Sequence, residues 1–560
     1  MKNIWYITQE SRGILKVGGL GEVIYNLAVQ LKRSSLDTTI FMPEHGIVKN
    51  ENNVEKLNIV KISENTSLDL IVYHGKLHDV NIILIGDKSN ILSNPVVYGE
   101  AITDKKVSKI TANISWILDE VFKNGFERPD IIHVNDWHGV PIGLGIKEKL
   151  EKQGEKLGSL LQIHLLIGKY VSSEYLFNNC RLDPNHLYSI TENGSEKRLS
   201  LSDVYNLSNG VLEKIGAYIF DKIATVSEAY LKRDDGCILC SLGWNFERKS
   251  TYIYNGTDWE YNEILSRILD KYWNEIKLFT GKNRKKEITR EDLRRYLLLY
   301  ALENLPENEP IIKDEYLRDI VFSLRGNIIK EKGRPYGFKS DGLLIITTGR
   351  ASFQKGFDIL LKAIPEIIDL FPESRFIFFL LPIRGEEHLI REIFEEANRY
   401  PDNVRVVYGI AGSVYQMAHI SADVFVAPSR WEPFGIMVIE ALATGNPVVA
   451  SKVGGLSEIV IDLCHDTNKG VGLLVEKNNY KDLANALKSL LFLKKGVSKK
   501  SFLLDKIDIK YHKMVLELIG VKGFYEILRQ RCIKRVDTSF RWNNVSKMAL
   551  KIYKEILSEK

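Results

Sequence analysis

The sequence predicts an α/β protein with two doubly wound parallel sheets and a helical insertion between them. Short apolar stretches rich in β-branched residues alternate with amphipathic helical patterns over residues 1–259, and the alternation returns over residues 341–480. Residues 260–340 interrupt it with charged helical sequence such as TREDLRRYLLLYALENL. A chain of 560 residues is too long for one hydrophobic core, so we expect at least two domains.

The second alternating region places two cations in one strand-to-helix loop. The stretch LLIITTGR predicts a buried strand that ends at Arg350, and a Gln-Lys-Gly sequence containing Lys355 precedes the helical pattern FDILLKAIPEII. Parallel sheets bind ligands at the carboxyl ends of their strands. Two fixed cations there can stabilise a diphosphate leaving group without a metal, although two solvated surface cations would show the same pattern.

Two glutamates lie eight residues apart across a second loop of this kind. The stretch ADVFVAPS predicts a buried strand and a turn, and FGIMVIEALATGNP predicts a helix that stops at its Gly-Asn-Pro end. Glu432 then lies in the loop and Glu440 about a turn and a half into the helix. The amides of Phe434, Gly435 and Ile436 open this helix and can face an anion. The carboxylates can accept hydrogen bonds from sugar hydroxyls and the amides can bind phosphates, so the pattern suits a nucleotide sugar. The alternative is that one glutamate only stabilises the start of the helix and the other is solvated.

The N-terminus carries a glycine-rich loop. A strand pattern starts at the second residue, and the sequence KVGGLGEV follows it, ahead of the helical pattern VIYNLAVQL. Gly18, Gly19 and Gly21 leave no side chains to keep phosphates from the backbone. The loop is neither a Walker loop nor a G-x-G-x-x-G fingerprint, so on its own it favours a structural interpretation.

Taken together, these pieces resemble the glycogen and starch synthases, which are retaining glucosyltransferases of the glycosyltransferase-B fold. The matching residues are Lys16, Gly18, Gly19, Leu20 and Gly21 for K-x-G-G-L-G; His133, Asp136, Trp137 and His138 for H-x-x-D-W-H; Thr225, Val226 and Ser227 for T-V-S; Asn255, Gly256 and Asp258 for N-G-x-D; and Arg350, Gln354, Lys355, Gly356, Glu432 and Glu440 for R…Q-K-G and E-x7-E. The stretch FRWNNVSKMALKIYKEIL is similar to the family's closing helix.

The chain departs from the family pattern at four places. His164 is followed by Leu165, where the family usually has asparagine. The aromatic residue that faces the nucleobase falls in the segment YGIAGSVYQ, which does not align cleanly. Residues 262–340 are longer and more charged than the family's usual connection, and residues 494–537 match no family segment.

The resemblance implies two Rossmann-like domains facing a cleft. It divides the chain into an acceptor-side domain at 1–259, the helical insertion at 260–340, a nucleotide-sugar-binding domain at 341–539, and a C-terminal helix at 540–560 that crosses back to the first domain.

It also implies transfer of glucose, with retention, from ADP-glucose or UDP-glucose to the 4-hydroxyl of a glycogen or other α-1,4-glucan chain end. The residues to which it assigns a catalytic role are Arg350, Lys355, Glu432, His164 and Asp136, and those to which it assigns donor binding are Lys16, Gly18, Gly19, Phe434, Gly435, Ile436 and Glu440. We expect no metal or other cofactor, because the two cations supply the positive charge.

Two other functions share most of these features. One is a retaining nucleotide-sugar transferase that acts on a small or lipid acceptor. The other is a catalytically inactive subunit that binds or regulates glucan. The K-x-G-G-L-G loop argues against the first, and the intact Arg350, Lys355 and Glu432 argue against the second.

Composition adds limits on partners and location. Seventy-seven basic and 72 acidic residues leave a charge of +5, which makes no case for nucleic-acid binding. The longest apolar run, FIFFLLPI, is too short to span a membrane, and the first residues form a strand rather than a signal peptide, so we expect a cytoplasmic protein. The basic run 282–286 fits a solvated loop or, less well, an anionic effector site.

The cysteines and the insertion leave two questions open. Five cysteines argue against a disulfide framework, and Cys237 and Cys240 make one C-x-x-C for which zinc is improbable and redox pairing remains open. The apolar stripe of the insertion fits internal packing or a contact in a homo-oligomer.

Overall fold

The computed structural model describes residues 2–192, 195–234, 236–496, 504 and 506–559. The chain divides into two compact units, described separately below. Unit 1 comprises Met1–Gly256 and Trp542–Lys560, and unit 2 comprises Thr257–Arg541.

Unit 1 is built, within its described residues, on a nine-stranded sheet with a separate two-stranded hairpin. The strands are β1 (Asn3–Ile7), β2 (Asp37–Pro43), β3 (Val60–Asn65), β4 (Leu70–Leu77), β5 (Val80–Gly86), β6 (Ile131–Asn135), β7 (Gly158–Gln162), β8 (Leu187–Glu192), β9 (Ser195–Ser200), β10 (Lys222–Thr225) and β11 (Ser250–Tyr252). The sheet order is β11-β10-β7-β6-β1-β2-β5-β4-β3, and the hairpin is β8-β9. Within the nine-stranded sheet the pairs that involve β3 and β4 are antiparallel and the others are parallel, and the hairpin pair β8-β9 is antiparallel.

Helices cover the faces of this sheet. They are α1 (Gly19–Arg33), α2 (Glu51–Lys56), α3 (Glu100–Ala112), α4 (Ile114–Lys123), α5 (Asp136–Lys152), α6 (Leu201–Leu207), α7 (Leu212–Ile219), α8 (Glu228–Lys232) and α9 (Ile238–Leu242). Every residue of β1, β6 and β7 is buried, which is the pattern of parallel strands covered on both faces.

The strand order of unit 1 reverses between β1 and β6. From β1 the chain winds through β2 on one side, whereas β7 lies beyond β6 on the other. In doubly wound sheets such a reversal opens a crevice at the carboxyl ends of the two strands. The glycine-rich sequence follows β1 at this point, and Asp136 follows β6 as the first residue of α5.

Unit 2 contains, among its described residues, a six-stranded parallel sheet. The strands are β12 (Leu343–Arg350), β13 (Ser374–Leu381), β14 (Val404–Tyr408), β15 (Val424–Ala427), β16 (Val448–Ser451) and β17 (Gly472–Val475), ordered β14-β13-β12-β15-β16-β17. The five strands predicted for this region are confirmed, and β17 is an addition. The order reverses between β12 and β15, so Lys355 and Glu432 follow the two strands at the reversal.

The helices of unit 2 include those of the insertion. They are α10 (Tyr261–Thr280), α11 (Arg290–Tyr296), α12 (Glu315–Ser323), α13 (Phe357–Ile368), α14 (Glu387–Asn398), α15 (Gly412–Ser421), α16 (Ile436–Ala443), α17 (Leu456–Ile459), α18 (Tyr480–Lys495), α19 (Ile509–Leu518) and α20 (Phe524–Ser539). Both units also contain short 3₁₀ or π turns. Those of unit 1 are Ile47–Lys49, Glu174–Asn179 and Trp244–Lys249, and those of unit 2 are Lys285–Glu287, Leu297–Ala301, Glu331–Gly333 and Phe353–Lys355.

The insertion packs inside unit 2. Leu293, Tyr296 and Leu297 of its apolar stripe are buried, so the internal-packing interpretation holds for them. Arg294 between them forms ion pairs with Asp341 at 3.0 Å and with the buried Asp423 at 3.1 Å. The basic run 282–286 is a surface segment in which Lys282 and Lys285 pair with aspartates.

The last two segments go to different units. Of residues 494–537, 497–503 and 505 lie outside the described residues, whereas α19 and α20 pack on the core of unit 2 through side chains such as Val515 and Leu528. The closing helix α21 (Trp542–Ser558) belongs to unit 1, where the Tyr553 hydroxyl lies 2.7 Å from Nδ1 of His133. No helix in the described part of the chain is long and apolar enough to cross a membrane.

Candidate active site

The candidate residues of unit 2 lie where the loops after β12 and β15 run side by side. The Arg430 amide donates to the Gln354 carbonyl at 2.8 Å, and the Gln354 side-chain amide donates to the Trp431 carbonyl at 3.0 Å. These bonds join the two loops that the sequence singled out. The adjacency follows from the direct pairing of β12 with β15.

Lys355 and Glu432 form an ion pair at this junction. The Lys355 ammonium donates to the Glu432 carboxylate, and the two residues are 9% and 8% exposed. The Ser429 hydroxyl donates to the same carboxylate oxygen at 3.4 Å. A pair this buried is sensitive to the loss of either partner, because the remaining charge is then uncompensated. The sequence assigned the two residues separate tasks, and the structure shows that their charges are coupled.

Arg350 lies at the exposed side of the same loop. Its guanidinium donates to the Gln354 side-chain oxygen at 3.4 Å, the outer limit of a hydrogen bond. Arg350 ends β12 and Lys355 ends the turn before α13, so the two cations flank one strand-to-helix loop, as the spacing indicated, but only Lys355 is buried.

The start of α16 has a backbone that requires glycine. Gly435 has φ of 110°, a left-handed conformation, and a Cβ there would lie 2.6 Å from a Leu456 methyl carbon. Phe434 and Gly435 thus lead directly into Ile436, the first residue of the helix. Glu440 is the fifth residue of α16 and is half-buried, close to the predicted position.

Tyr415 is the aromatic residue that lies near Glu440. Burial first, and then the negative charge of Glu440, raise the pKa of Tyr415. Its ring also contacts Phe379, with centroids 5.4 Å apart. Tyr408, at the other end of the unaligned segment, is fully buried and donates its hydroxyl to the Ile390 carbonyl. The structure therefore places Tyr415 near Glu440 and Tyr408 in the core, a difference that the sequence could not predict.

The insertion reaches the carboxyl edge of this sheet. The Glu309 carboxylate accepts hydrogen bonds from the Ser413 amide at 3.2 Å and from the Ser413 hydroxyl. Ser413 lies in the first turn of α15, two residues before Tyr415. Ile311 pairs with Ile410 through two backbone hydrogen bonds of 2.8 and 2.9 Å. Sequence reasoning missed Glu309, and no local pattern in the chain marks it.

The glycine-rich loop in unit 1 is closed by a carboxylate. The amides of Val17 and Gly18 donate to Oε2 of Glu10 at 2.5 and 2.6 Å, and the Tyr98 hydroxyl donates to Oε1 at 2.9 Å. The amide of Gly18 that we expected to face a phosphate thus faces Glu10. Gly19 is already the first residue of α1, four residues before the predicted helical pattern. Gly18 is the N-cap of this helix, so its bond to Glu10 satisfies one of the amides that a helix start leaves free.

Lys16 also has a partner in unit 1. Its ammonium lies 2.6 Å from Glu22, which accepts from Arg12 through its other oxygen at 2.6 Å. The lysine side chain is otherwise half-exposed.

Asp136 and His164 meet at the ends of β6 and β7. The amides of His164 and Leu165 donate to Oδ1 of Asp136 at 2.7 and 3.3 Å, and Asp136 has φ of 53°. Burial raises the pKa of Asp136 to about 7, while the two amide bonds oppose the shift. It is the backbone of His164 that contacts Asp136; the His164 ring lies 3.0 Å from the Asn135 side-chain oxygen. Burial lowers the pKa of His164 to about 3, so the ring is neutral.

The C-x-x-C sequence forms a disulfide between Cys237 and Cys240, the pairing that the sequence left open. The other three cysteines, all within the described residues, are free. No group of three or more metal-ligating side chains in the described ranges could hold a metal ion.

Two family models match the chain. The starch synthase catalytic domain matches residues 3–233, and the model for group 1 glycosyl transferases matches residues 329–500. The chain belongs to the glycogen and starch synthase family. It is therefore a glycosyltransferase, as the motifs predicted. The two matches include every strand of the two sheets except β11.

Members of this family resemble the chain over nearly its whole length. It is 24% identical to the glycogen synthase of Thermodesulfovibrio yellowstonii over 590 aligned positions that cover 99% of this chain and 98% of that protein. It is 25% identical to the glycogen synthase of Thermosipho melanesiensis, with 92% and 97% covered.

Solved structures agree on the fold. The catalytic domain of starch synthase IV from Arabidopsis thaliana, bound to ADP and acarbose, superposes with a TM-score of 0.63 at 17% identity and covers 100% of this chain and 99% of that one. Sucrose-phosphate synthase from Thermosynechococcus elongatus gives 0.54 at 18% identity, with both chains fully covered. These likenesses show the glycosyltransferase-B fold.

Proposed function

We propose that this protein is a glycogen synthase that transfers glucose from ADP-glucose or UDP-glucose to the 4-hydroxyl at the non-reducing end of an α-1,4-glucan. The observation that carries the proposal is the buried Lys355–Glu432 pair at the strand reversal of unit 2, with Glu440 in the helix that follows. A cation beside two carboxylates suits a sugar diphosphate, since the cation takes the phosphate and the carboxylates take hydroxyls.

The unit 2 residues assigned to the donor contact different chemical groups of the nucleotide sugar. Lys355, with Arg350 at the loop surface, stabilises the departing diphosphate, and the amides of Phe434, Gly435 and Ile436 hydrogen-bond its oxygens. Glu440 accepts from the ribose hydroxyls, and the nearby Tyr415 ring packs against the nucleobase. Because the phosphate competes with Glu432 for Lys355, donor binding frees the Glu432 carboxylate for the sugar hydroxyls.

The residues of unit 1 act on the sugar and the phosphates. Asp136 accepts a hydrogen bond from a glucose hydroxyl, and the neutral His164 ring offers a second polar contact. Lys16 and the amides of Gly18 and Gly19 support the diphosphate once Glu10 is displaced from the loop.

Retention follows from attack on the same face that the phosphate leaves. The bond from the anomeric carbon to the phosphate oxygen breaks, the acceptor O4 forms the new bond, and its proton passes to the leaving phosphate. A double displacement would need a carboxylate beneath the anomeric carbon. We assign Glu432 to the sugar hydroxyls and Glu440 to the ribose, which leaves neither for that position.

The deciding experiment is incubation with ADP-glucose or UDP-glucose and glycogen, with nucleotide release and glucose incorporation both measured. Transfer to glycogen with either donor supports the proposal. Transfer only to small or lipid acceptors would favour the other retaining transferases, and glucan binding without nucleotide release would favour an inactive subunit.

A cytoplasmic location accords with this function, because nucleotide sugars are made there. The Cys237–Cys240 disulfide does not conflict with it, since C-x-x-C pairs are the usual reversible redox pairs of reducing compartments. Whether the protein forms a homo-oligomer stays a prediction for sedimentation analysis.

We expect glucosyl transfer to continue in excess chelator. Lys355 and Arg350 provide the positive charge on the diphosphate, so the reaction has no step that needs a cation. The measurement is the initial rate with and without EDTA, after prior dialysis against the chelator. Complete loss of activity that magnesium or manganese restores would contradict the metal-free mechanism.

We expect Glu309→Ala to raise the KM for the nucleotide sugar several-fold while kcat changes less than twofold. The substitution removes the cap of the helix that carries Tyr415, and such caps contribute about 1 kcal/mol. Glu309→Gln keeps an acceptor and should recover part of the loss. Glu315→Ala, a more exposed glutamate of the same insertion, is the matched control. An unchanged KM in Glu309→Ala would exclude the insertion from donor binding.

A further inference from the structure

Every backbone amide of the loop that follows β7 in unit 1 donates to a side chain. This segment, the β7 loop, comprises residues 164–169 and contains no helix or strand. Its first two amides donate to Asp136, the third donates to the Tyr230 hydroxyl at 2.9 Å, and the last three donate to Glu213 at 3.2, 3.0 and 2.9 Å. The three side chains come from α5, α8 and α7, so three helices fix the path of one loop.

Glu213 holds the second half of the β7 loop. It is 1% exposed in the first turn of α7. Its Oε1 accepts from the amides of Ile167 and Gly168, and its Oε2 accepts from that of Lys169. Burial raises the pKa of Glu213, and the amide bonds oppose that shift. Because both oxygens accept, the pattern is that of an ionised carboxylate, whose hydrogen bonds to amides are charge-assisted and strong.

The position of Glu213 in the sequence would indicate only stabilisation of a helix start, where negative side chains are favourable. The structure shows a different use, because both oxygens bind a segment that lies 44 to 46 residues earlier in the chain. The backbone connects the same two segments, since the Leu212 amide donates to the Lys169 carbonyl at 2.9 Å. The start of α7 is thus attached directly to the β7 loop.

The first half of the β7 loop carries residues that the proposed function assigns to the donor sugar. His164 begins the loop, and the amides of His164 and Leu165 bind the Asp136 carboxylate. Leu166 alone separates these amides from those that Glu213 binds. Burial raises the pKa of Asp136, and the negative charge of Glu213 adds to that rise, as expected for carboxylates close together. A change at Glu213 therefore reaches Asp136 through a short stretch of backbone.

We propose that Glu213 is a positioning residue for glucosyl transfer, which holds the β7 loop so that its first two amides orient the Asp136 carboxylate toward the donor sugar. The inference rests on the proposed function, in which Asp136 accepts from a glucose hydroxyl. The loop occupies both oxygens of Glu213, so this residue acts through Asp136 rather than on the substrate. Small errors in the orientation of a reacting group lower turnover strongly. The nucleotide is assigned to residues of unit 2, so its affinity should not depend on Glu213.

The test compares substitutions at Glu213. Glu213→Met keeps the length of the side chain and removes all three amide bonds. We expect its kcat to fall at least ten-fold, while the KM for the nucleotide sugar and the Kd for ADP stay within threefold of the wild type. Glu213→Gln keeps an oxygen that can accept two of the bonds, so its kcat should stay within threefold. Wild-type kcat in Glu213→Met, or an equal loss in Glu213→Gln, would overturn the inference.

A shorter acid provides a second variant. If Glu213→Met is poorly folded by circular dichroism, Glu213→Asp takes its place, because it keeps the charge and shortens the side chain by one methylene. We expect a loss of kcat of at least five-fold in Glu213→Asp, again without a change in ADP affinity. Wild-type kcat in this variant would contradict the positioning role.

A double-mutant cycle with Asp136→Asn tests whether Glu213 acts through Asp136. The measurement is single-turnover nucleotide release at high enzyme concentration. Adding Glu213→Met to Asp136→Asn should lower the rate less than threefold, against at least ten-fold in the wild type. Independent sites give additive effects, whereas residues in one hydrogen-bond network do not. Fully additive losses would overturn the inference.

Asp87 offers a matched control in the same sheet. Its buried carboxylate accepts the amides of residues 91–93 at 3.0, 3.1 and 3.2 Å in the loop after β5. That loop carries none of the residues assigned to catalysis or donor binding. Asp87→Leu should therefore lower the melting temperature about as much as Glu213→Met and leave kcat within twofold of the wild type. An equal loss of kcat in both variants would reduce Glu213 to a structural role and overturn the inference.

Hydrogen exchange separates this inference from the proposed function, because it needs neither donor nor acceptor. Peptides that contain the β7 loop should exchange at least ten-fold faster in Glu213→Met, including the two amides bound to Asp136, and at the wild-type rate in Glu213→Gln. Faster exchange in an enzyme that does not transfer to glucan supports the tether and contradicts the proposed function. Unchanged exchange in Glu213→Met overturns the inference even if the wild type is a synthase.

Discussion

Lys355→Ala should lower kcat by two or more orders of magnitude while changing donor affinity much less. The lysine is assigned to the charge that develops on the departing diphosphate, and interactions formed mainly in the transition state affect kcat. The measurement is steady-state kinetics with the better of the two donors and glycogen. Lys339→Ala, whose side chain is 89% exposed, is the control and should match the wild type.

The buried ion pair complicates this variant and also provides a check. Loss of Lys355 leaves Glu432 as an unpaired buried carboxylate, so some loss of thermal stability is expected. The double variant Lys355→Met with Glu432→Gln removes both charges and should recover the melting temperature but not the activity. Near-normal turnover in Lys355→Ala would exclude this loop from leaving-group stabilisation.

Glu432→Ala and Glu440→Ala should lower the activity through different kinetic constants. Glu432 orients the reacting sugar, so its loss should mainly lower turnover. Glu440 binds the ribose, so its loss should mainly weaken donor binding, by about the 1.5–3 kcal/mol of a charge-assisted hydrogen bond. Because Glu432 neutralises Lys355 in this structure, Glu432→Ala should also leave ADP affinity unchanged or raise it. Kinetics and ADP titrations of both variants with one donor test these differences.

The product linkage tests the mechanism independently of rates. Every active variant should form an α linkage, which NMR of the extended oligosaccharide identifies. A β-linked product, or a glucosyl ester trapped on Glu432, would contradict same-face attack and leave the fold assignment intact.

Sequence by itself determined the elements that carry the site. The stretch LLIITTGR is β12 residue for residue, and β15 and α16 lie where apolar runs and the Gly-Asn-Pro stop predicted them. These signals are local: a strand buried on both faces needs a continuous apolar run, and a helix needs its 3.6-residue period and an end. Alternation of such elements predicts a doubly wound sheet, and the motif order predicts the family.

Only the tertiary structure determines which side chains form ion pairs or hydrogen bonds with one another. The Lys355–Glu432 pair joins residues 77 apart, Glu10 and Tyr98 close the glycine-rich loop from 88 residues apart, and Glu309 caps a helix 104 residues further on. No periodicity encodes such contacts, because they depend on which strands become neighbours and on how the loops at their ends pack. For the same reason the sequence could not predict that Tyr415 lies near Glu440 or that Glu309 of the insertion contacts the first turn of α15.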